Sequence, residues 1–227
     1  VRAQEGAIMK VRDSGMPEEA YWESLFDIPL ILDRMQIGTA AGGQAVHRDA
    51  SPPAPGGRII GGALPGDLVE FGCGYGTFTI PAAERVRGTV HALDLEPEMI
   101  AATRARAAAA GIGNIRLACR DFVADSAGLP DAAATYVMLF NILHHEHPRE
   151  MLDEAFRLLA PGGIAGIIHW RYDPATPRGP AMAIRPRPED LLAQARAAGF
   201  RPVSPSPIDL PPWHYGLLLE KRKENHS

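Results

Sequence analysis

From residue 68 onward the chain is punctuated by five short apolar runs, Leu68–Phe71, Val90–Leu93, Ile115–Cys119, Thr135–Phe140 and Ile164–Trp170. Each has the length and the β-branched or aromatic content of a buried strand. Between them lie stretches with helical spacing. The clearest is Pro97–Ala110, with proline in its first position and Gly111 as its stop; the next is Pro148–Leu159, closed by Pro161, Gly162 and Gly163. A later helix is predicted over Pro188–Ala198 and stops at Gly199. Alternation of strand and helix predicts an α/β fold whose mainly parallel sheet is covered on both faces in three layers.

The first 66 residues follow a different pattern and are expected to be an appendage, with residues 67–227 as the main domain. Pro17 opens a segment with Glu18 and Glu19 in its first turn and Tyr21, Trp22, Leu25 and Phe26 behind them; Pro29 can open a second helix carrying Leu30, Ile31, Leu32 and Met35. From Gly38 to Gly66 the composition turns to Gly, Ala, Pro and Ser, which predicts a loop. No internal repeat is visible.

Candidate chemistry begins where the first strand ends. Leu68-Val69-Glu70-Phe71 runs into Gly72-Cys73-Gly74-Tyr75-Gly76, so a carboxylate is followed by three alternating glycines. Glycine permits positive φ and lets backbone N–H groups approach a ligand, and the helix that follows presents its positive end there. Asp94 closes the second apolar run eighteen residues after Gly76, the spacing at which a carboxylate meets ribose hydroxyls. A dinucleotide fingerprint would place its third glycine at position 77, where this chain has Thr77. Glu70, just before the loop, suits a ligand bearing an ammonium group.

With these residues the chain resembles the class I S-adenosylmethionine-dependent methyltransferases. Five segments carry the resemblance in order: Glu70 to Gly76; Asp94-Leu95-Glu96-Pro97; Arg120-Asp121-Phe122; Leu139 to His145; and Leu158 to Gly163. The resemblance implies a Rossmann-like, doubly wound sheet, closed by an antiparallel pair near Phe200–Val203 and Trp213–Leu219. It also implies S-adenosylmethionine as the cofactor. Gly72, Gly74 and Gly76 would lie under its methionine and ribose portion, with Glu70 orienting the methionine end. Asp94 would take the ribose hydroxyls, Asp121 the adenine amino group, Leu95 and Phe122 the ring, and Asn141 the methyl side. Structural alternatives stand beside these roles: a plain strand-to-helix turn for the glycines, a helix cap for Asp94, a loop start for Asp121, and backbone satisfaction for Asn141.

A sulfonium is an activated methyl donor, so alignment of an acceptor can suffice and no conspicuous catalytic motif is required. Where the acceptor must lose a proton, histidine is the usual base. His144-His145-Glu146-His147 precedes a helix that starts at Pro148, which places His147 at the cap; His145 is the candidate base, His144 is expected to pack beneath the loop, and no metal site is expected. After the fifth strand, His169-Trp170-Arg171-Tyr172-Asp173 leads into a proline-rich loop holding Arg178, Arg185 and Arg187. Arg171, Tyr172 and Arg178 are candidate contacts for an acidic small molecule; the alternative is a solvated loop whose arginines pair with Asp173, Glu189 and Asp190. Trp22 is expected to dock its helix, with a lid over the cofactor as the second reading.

The remaining composition narrows the class. The 227 residues carry a formal net charge of −4, which gives no basic excess for nucleic acid or a membrane surface. No apolar run reaches membrane-spanning length, and residues 1–10 lack a signal-peptide core. The two cysteines, Cys73 and Cys119, have no metal or redox spacing, so a cytoplasmic setting is expected. Thus the sequence predicts methyl transfer to a small molecule. The alternatives are a non-catalytic S-adenosylmethionine-binding module and an NAD-dependent oxidoreductase, against which Thr77 and Asp121 both argue.

Overall fold

The computed structural model describes residues 16–38 and 62–222. The greater part of the predicted Gly/Pro-rich loop and residues 1–10 lie outside them. Two short helices come first, α1 (Glu19–Glu23) and α2 (Ile28–Arg34). They are followed by β1 (Leu68–Phe71), α3 (Thr79–Ala83), β2 (Val90–Asp94), α4 (Pro97–Ala109), β3 (Ile115–Cys119), β4 (Ala134–Phe140), α5 (Pro148–Leu158) and β5 (Leu159–Trp170). The chain continues through α6 (Pro188–Ala197), β6 (Arg201–Pro202), β7 (Ile208–Leu210) and β8 (His214–Glu220).

The eight strands form one sheet in the order β3-β2-β1-β4-β5-β8-β6, with β7 also on β8. Strands β1 to β5 pair in parallel, and β8 runs antiparallel to β5, β6 and β7. The predicted closing pair is therefore present, with β7 as a third short antiparallel strand that the sequence pattern did not reveal. Because β1 is flanked by β2 on one side and β4 on the other, strand order reverses between β1 and β4. A crevice opens beyond their carboxyl ends, which is where such sheets bind ligands.

Strand periodicity sorts the core into two layers. Val69, Phe71, Val137 and Leu139 face α5 and α6, while Leu68, Tyr136, Met138 and Phe140 face α2 and α3. Ile31 and Leu32 of α2 and Met35, its cap residue, belong to the second layer and are fully buried. Tyr136 Oη donates to Met35 O at 2.7 Å, so the N-terminal helices share the core of the sheet. Gly166 on β5 leaves room for that tyrosine, since a Cβ there would overlap its hydroxyl.

One boundary differs from the sequence reading. Strand β5 begins at Leu159, directly after α5, although Pro161, Gly162 and Gly163 predicted a break before Ile164. Leu159 pairs with Ala134 and Ile164 with Tyr136, so the extra residues form an irregularity in the ladder. Gly162 N donates to Lys221 O at 2.6 Å, and Lys221 N to Gly163 O at 3.0 Å. Pairing across the sheet thus overrides a local signal for a stop.

Candidate functional site

At the reversal of strand order lies a cavity of about 440 Å³, a size that accommodates a small-molecule ligand. Its floor is the glycine loop. Gly72 N and Cys73 N both donate to Leu93 O, at 2.9 and 3.0 Å, which ties the end of β1 to β2. Gly74 N donates to Asp94 Oδ2 at 2.8 Å, and Glu96 N to Asp94 Oδ1 at 3.0 Å. Thr103 on α4 completes the brace by donating to Gly74 O at 2.8 Å. All three glycines have positive φ, +75° at Gly72, +53° at Gly74 and +78° at Gly76. Gly72 and Gly74 line the cavity, whereas Gly76 lies outside its lining and faces Thr103, whose Cγ2 would sit 2.9 Å from an added Cβ.

Carboxylates dominate this end. Glu70, on β1, is buried and accepts a hydrogen bond from Thr79 Oγ1; burial pushes its carboxyl up to about 8, opposed by the Thr79 hydroxyl and reinforced by Asp94. Burial likewise raises Asp94 above the usual carboxylate range, against the backbone hydrogen bonds it accepts. Both carboxyls are held where a cation would favour their ionised form. Asp121 lines the same cavity and accepts from Val123 N at 3.2 Å and Ala124 N at 3.0 Å, which shapes the turn after β3. Phe122 stacks on Phe71 with ring centroids 4.7 Å apart, and Leu95 stands partly exposed at the rim.

Asn141 follows β4 in the left-handed region, with φ of +55°, and its backbone N–H donates to Ile168 O at 2.8 Å. Among the described residues neither its side-chain oxygen nor its nitrogen has a hydrogen-bond partner, although both are buried; Thr77 Oγ1 is in the same condition. Two orphaned polar groups in one cavity wall are what a missing polar ligand leaves behind. Gly72 adds a cradle, because a Cβ there would meet Ile142 Cδ1 at 2.8 Å.

Both His144 and His145 line the cavity. His145 Nδ1 accepts from His147 N at 3.1 Å, and His147 is the cap residue of α5. His144 Nδ1 lies 3.4 Å from His169 Nε2, and burial, with His145 and Arg185 nearby, drops its imidazole to about 4. His144 is therefore neutral at neutral pH. Among the described residues no group of three or more His, Cys, Asp or Glu side chains is arranged to hold a metal ion.

Of the three residues proposed for an acidic ligand, the structure brings Arg178 to the cavity wall and leaves Arg171 and Tyr172 outside it. The Arg171 guanidinium turns to Asp209, adjacent to it across β8, and Tyr172 stacks under Arg187, whose guanidinium lies 3.7 Å from the ring centroid. Arg185, which the alternative reading left in a solvated loop, is buried and donates to Pro180 O, Arg171 O, Asp173 O and Thr176 Oγ1, so it holds the loop's shape from inside. Trp22 packs edge-on against Phe26 at 4.8 Å and also lines the cavity, while Arg106 anchors its helix by ion pairs with Glu19 at 2.9 Å and Glu23 at 2.6 Å. The sequence reading missed Met16, Phe140 and Trp170 as wall residues; Phe140 and Trp170 are the last residues of β4 and β5, the signal that could have found them.

The family model described as a methyltransferase domain matches residues 68–163. A curated relative, aklanonic acid methyltransferase of Streptomyces sp. (strain C5), is 36% identical over 92 residues, which cover 40% of this chain and 37% of the relative. Another, trans-aconitate 2-methyltransferase of Mycolicibacterium gilvum, is 33% identical over 162 residues, covering 68% of this chain and 56% of the relative. The chain thus spans well under two thirds of either relative's length. Among solved structures, an S-adenosylmethionine-dependent methyltransferase from Aquifex aeolicus superposes with a TM-score of 0.67 at 18% identity, over 93% of this chain and 95% of that one, a likeness of fold.

Proposed function

We propose that this chain, which belongs to the class I S-adenosylmethionine-dependent methyltransferases through the domain at residues 68–163, transfers a methyl group to a small-molecule acceptor bearing an acidic group. S-adenosylmethionine is the cofactor the family and fold imply, and when bound it supplies a methyl group on a sulfonium that any well-placed nucleophile can displace. In this reading residues 67–227 form the cofactor-binding unit and residues 1–66 the appendage. Among the described residues no helix is long and apolar enough to cross a membrane, and action in the cytoplasm belongs to the same proposal.

The protein's own residues then divide the work. Asp94 binds ribose hydroxyls through remaining lone pairs of a carboxylate oriented by the N–H groups of Gly74 and Glu96, and Glu70 meets the ammonium group from a buried position where an ionised carboxyl gains most from a cation. Gly72 and Gly74 allow close backbone approach, with Gly76 supporting the turn from behind. Asp121, Phe122 and Leu95 hold the adenine, and Asn141 turns its unpartnered amide toward the methyl side. Positioning of the acceptor contributes on the order of 7–11 kcal/mol to such a displacement. Arg178 orients the acidic group, a role also favoured by two relatives that are named for acids. His145 remains the base for an acceptor that must lose a proton, and a carboxylate acceptor needs none.

The observation that carries this reading is a single wall uniting the Gly74 N–H···Asp94 contact, buried Glu70 and the orphaned amide of Asn141. Calorimetric titration with S-adenosylmethionine, S-adenosylhomocysteine and NAD tests it. The first two should bind saturably and lose affinity in Asp94→Ala. Binding of NAD alone, or of none, would sink the proposal; binding without turnover on any acid supplied would point to the non-catalytic module.

A further inference from the structure

Thr77, Thr79 and Thr103 stand about the glycine loop, and two of their hydroxyls are engaged within the chain. Thr79 Oγ1 donates to Glu70 Oε2, and Thr103 Oγ1 donates to Gly74 O at 2.8 Å. Thr77 differs. It directly follows Gly76, lines the cavity and is 2% exposed, yet its Oγ1 has no hydrogen-bond partner among the described residues. A buried hydroxyl without a partner costs stability relative to an apolar group of the same shape, so its presence in a cavity wall calls for a polar group on the ligand.

The backbone of the loop is engaged as well. Gly72 N and Cys73 N donate to Leu93 O, Gly74 N to Asp94 Oδ2 and Gly76 N to Cys73 O, at 2.8–3.0 Å. These four N–H groups meet acceptors of the chain itself. Glu70, Asp94, Glu96 and Asp121 meanwhile place carboxylates in the same wall. The amino-acid end of S-adenosylmethionine carries a carboxylate beside its ammonium group, and in a wall rich in like charge that carboxylate requires a hydrogen-bond donor. The wall's other orphaned donor, the Asn141 amide, follows β4, whereas Thr77 is two residues from Thr79, the partner of Glu70. Thr77 therefore belongs to the same end as the carboxylate that meets the ammonium group.

We infer that the Thr77 hydroxyl donates to the carboxylate at the methionine end of the cofactor, and so separates ligands that carry this carboxylate from ligands that lack it. The inference rests on the methyltransferase reading and gives that site a residue beyond the glycines and acids. S-adenosylhomocysteine shares the carboxylate; its decarboxylated form keeps the amine alone. Calorimetry on the full chain compares the two in the wild type, Thr77→Val and Thr77→Ser, and thermal denaturation follows the same proteins without ligand.

Thr77→Val keeps the shape and loses the hydroxyl. It should weaken S-adenosylhomocysteine by about tenfold and the decarboxylated form by less than about twofold, the pattern for loss of one hydrogen bond to a charged group. Thr77→Ser should stay within about threefold of the wild type for S-adenosylhomocysteine. Without ligand, Thr77→Val should melt no lower than the wild type, because it removes an unpartnered polar group. Equal weakening of both ligands, unchanged affinity for S-adenosylhomocysteine, or a lower melting temperature of ligand-free Thr77→Val would each overturn the inference, the last by showing that the hydroxyl has its partner within the protein. A wild type that does not bind S-adenosylhomocysteine would instead remove the methyltransferase reading, and the role of Thr77 with it.

Discussion

Asp94 Oδ2 accepts the backbone N–H of Gly74 at 2.8 Å across twenty residues of sequence, so the glycine loop and the end of β2 are one hydrogen-bonded unit. Glu96 N–H is held by the other oxygen at 3.0 Å, so Ala in place of Asp94 strands two backbone donors whereas Asn keeps an acceptor for one of them. Asp94→Ala is expected to lose about 1–3 kcal/mol of stability without ligand. Asp94→Asn should lose less than Asp94→Ala, because one acceptor remains and burial already disfavours the charged form. Urea denaturation of both variants separates the two effects; equal losses would show that the hydrogen bond is not what holds the loop.

Glu70 should make the ligand-free protein less stable as pH rises. Its folded carboxyl titrates at about 8 against an ordinary 4.5, so its contribution is complete below about pH 4.5 and is lost as pH climbs through 8. The slope approaches about 1.4 kcal/mol per pH unit inside that window. Asp94, also raised, adds in the same direction. Glu70→Gln should flatten the pH dependence of the melting temperature between pH 6 and 8. It should also abolish proton release on S-adenosylmethionine binding, read as the dependence of calorimetric heat on the buffer's ionisation enthalpy.

Histidines set the opposite limit. Burial lowers His144 to about 4, His214 to about 3 and His169 well below its ordinary value of 6.5. Each stabilises fully above pH 6.5 and loses its contribution as pH falls toward the folded value, because the unfolded chain takes up the proton first. The histidine share of stability should therefore fall from pH 7 to 5.5, against the gain that Glu70 and Asp94 give over the same window. His214 is stacked on Phe26 at 4.6 Å with no hydrogen-bond partner for either ring nitrogen among the described residues. In His214→Phe the drop between these pH values, measured by urea denaturation, should shrink; an unchanged drop would exclude His214 as a contributor.

Gly76 tests the loop by sterics. Gly76→Ala combines a φ of +78° with a Cβ 2.9 Å from Thr103 Cγ2 and should cost on the order of 1–3 kcal/mol. Thr103→Ser removes that methyl and keeps the hydroxyl that donates to Gly74 O. The double variant should recover the steric share but not the backbone share, giving a coupling of at least about 0.5 kcal/mol in a double-mutant cycle. Strict additivity would show that Thr103 is not the obstruction.

The sheet and the carboxylate end of the cavity were legible because local rules decide them. Val69, Phe71, Val137 and Leu139 alternate with residues of the opposite face, and Glu70, Gly72, Gly74 and Asp94 sit at or just beyond strand ends. What escaped depends on distant chain. Arg171 is turned by Asp209, 38 residues away, and Arg185 is drawn inside by carbonyls of its own loop. Leu159 continues into a strand because β4 and β8 supply pairing that Pro161 and Gly162 argue against. The five-residue helix α3 is too short to produce a readable period.

Every carboxylate of the cavity wall falls within residues 68–163, whereas Met16, Trp22, Trp170 and Arg178 lie outside that span. The pocket's acidic floor therefore lies in one continuous segment, together with Phe78 and Phe140, while Trp22, Trp170 and Arg178 reach it from two peripheral ones. Exchanging residues 16–38 and 171–187 for the corresponding stretches of another such protein should redirect the choice of acceptor and leave the floor chemically intact.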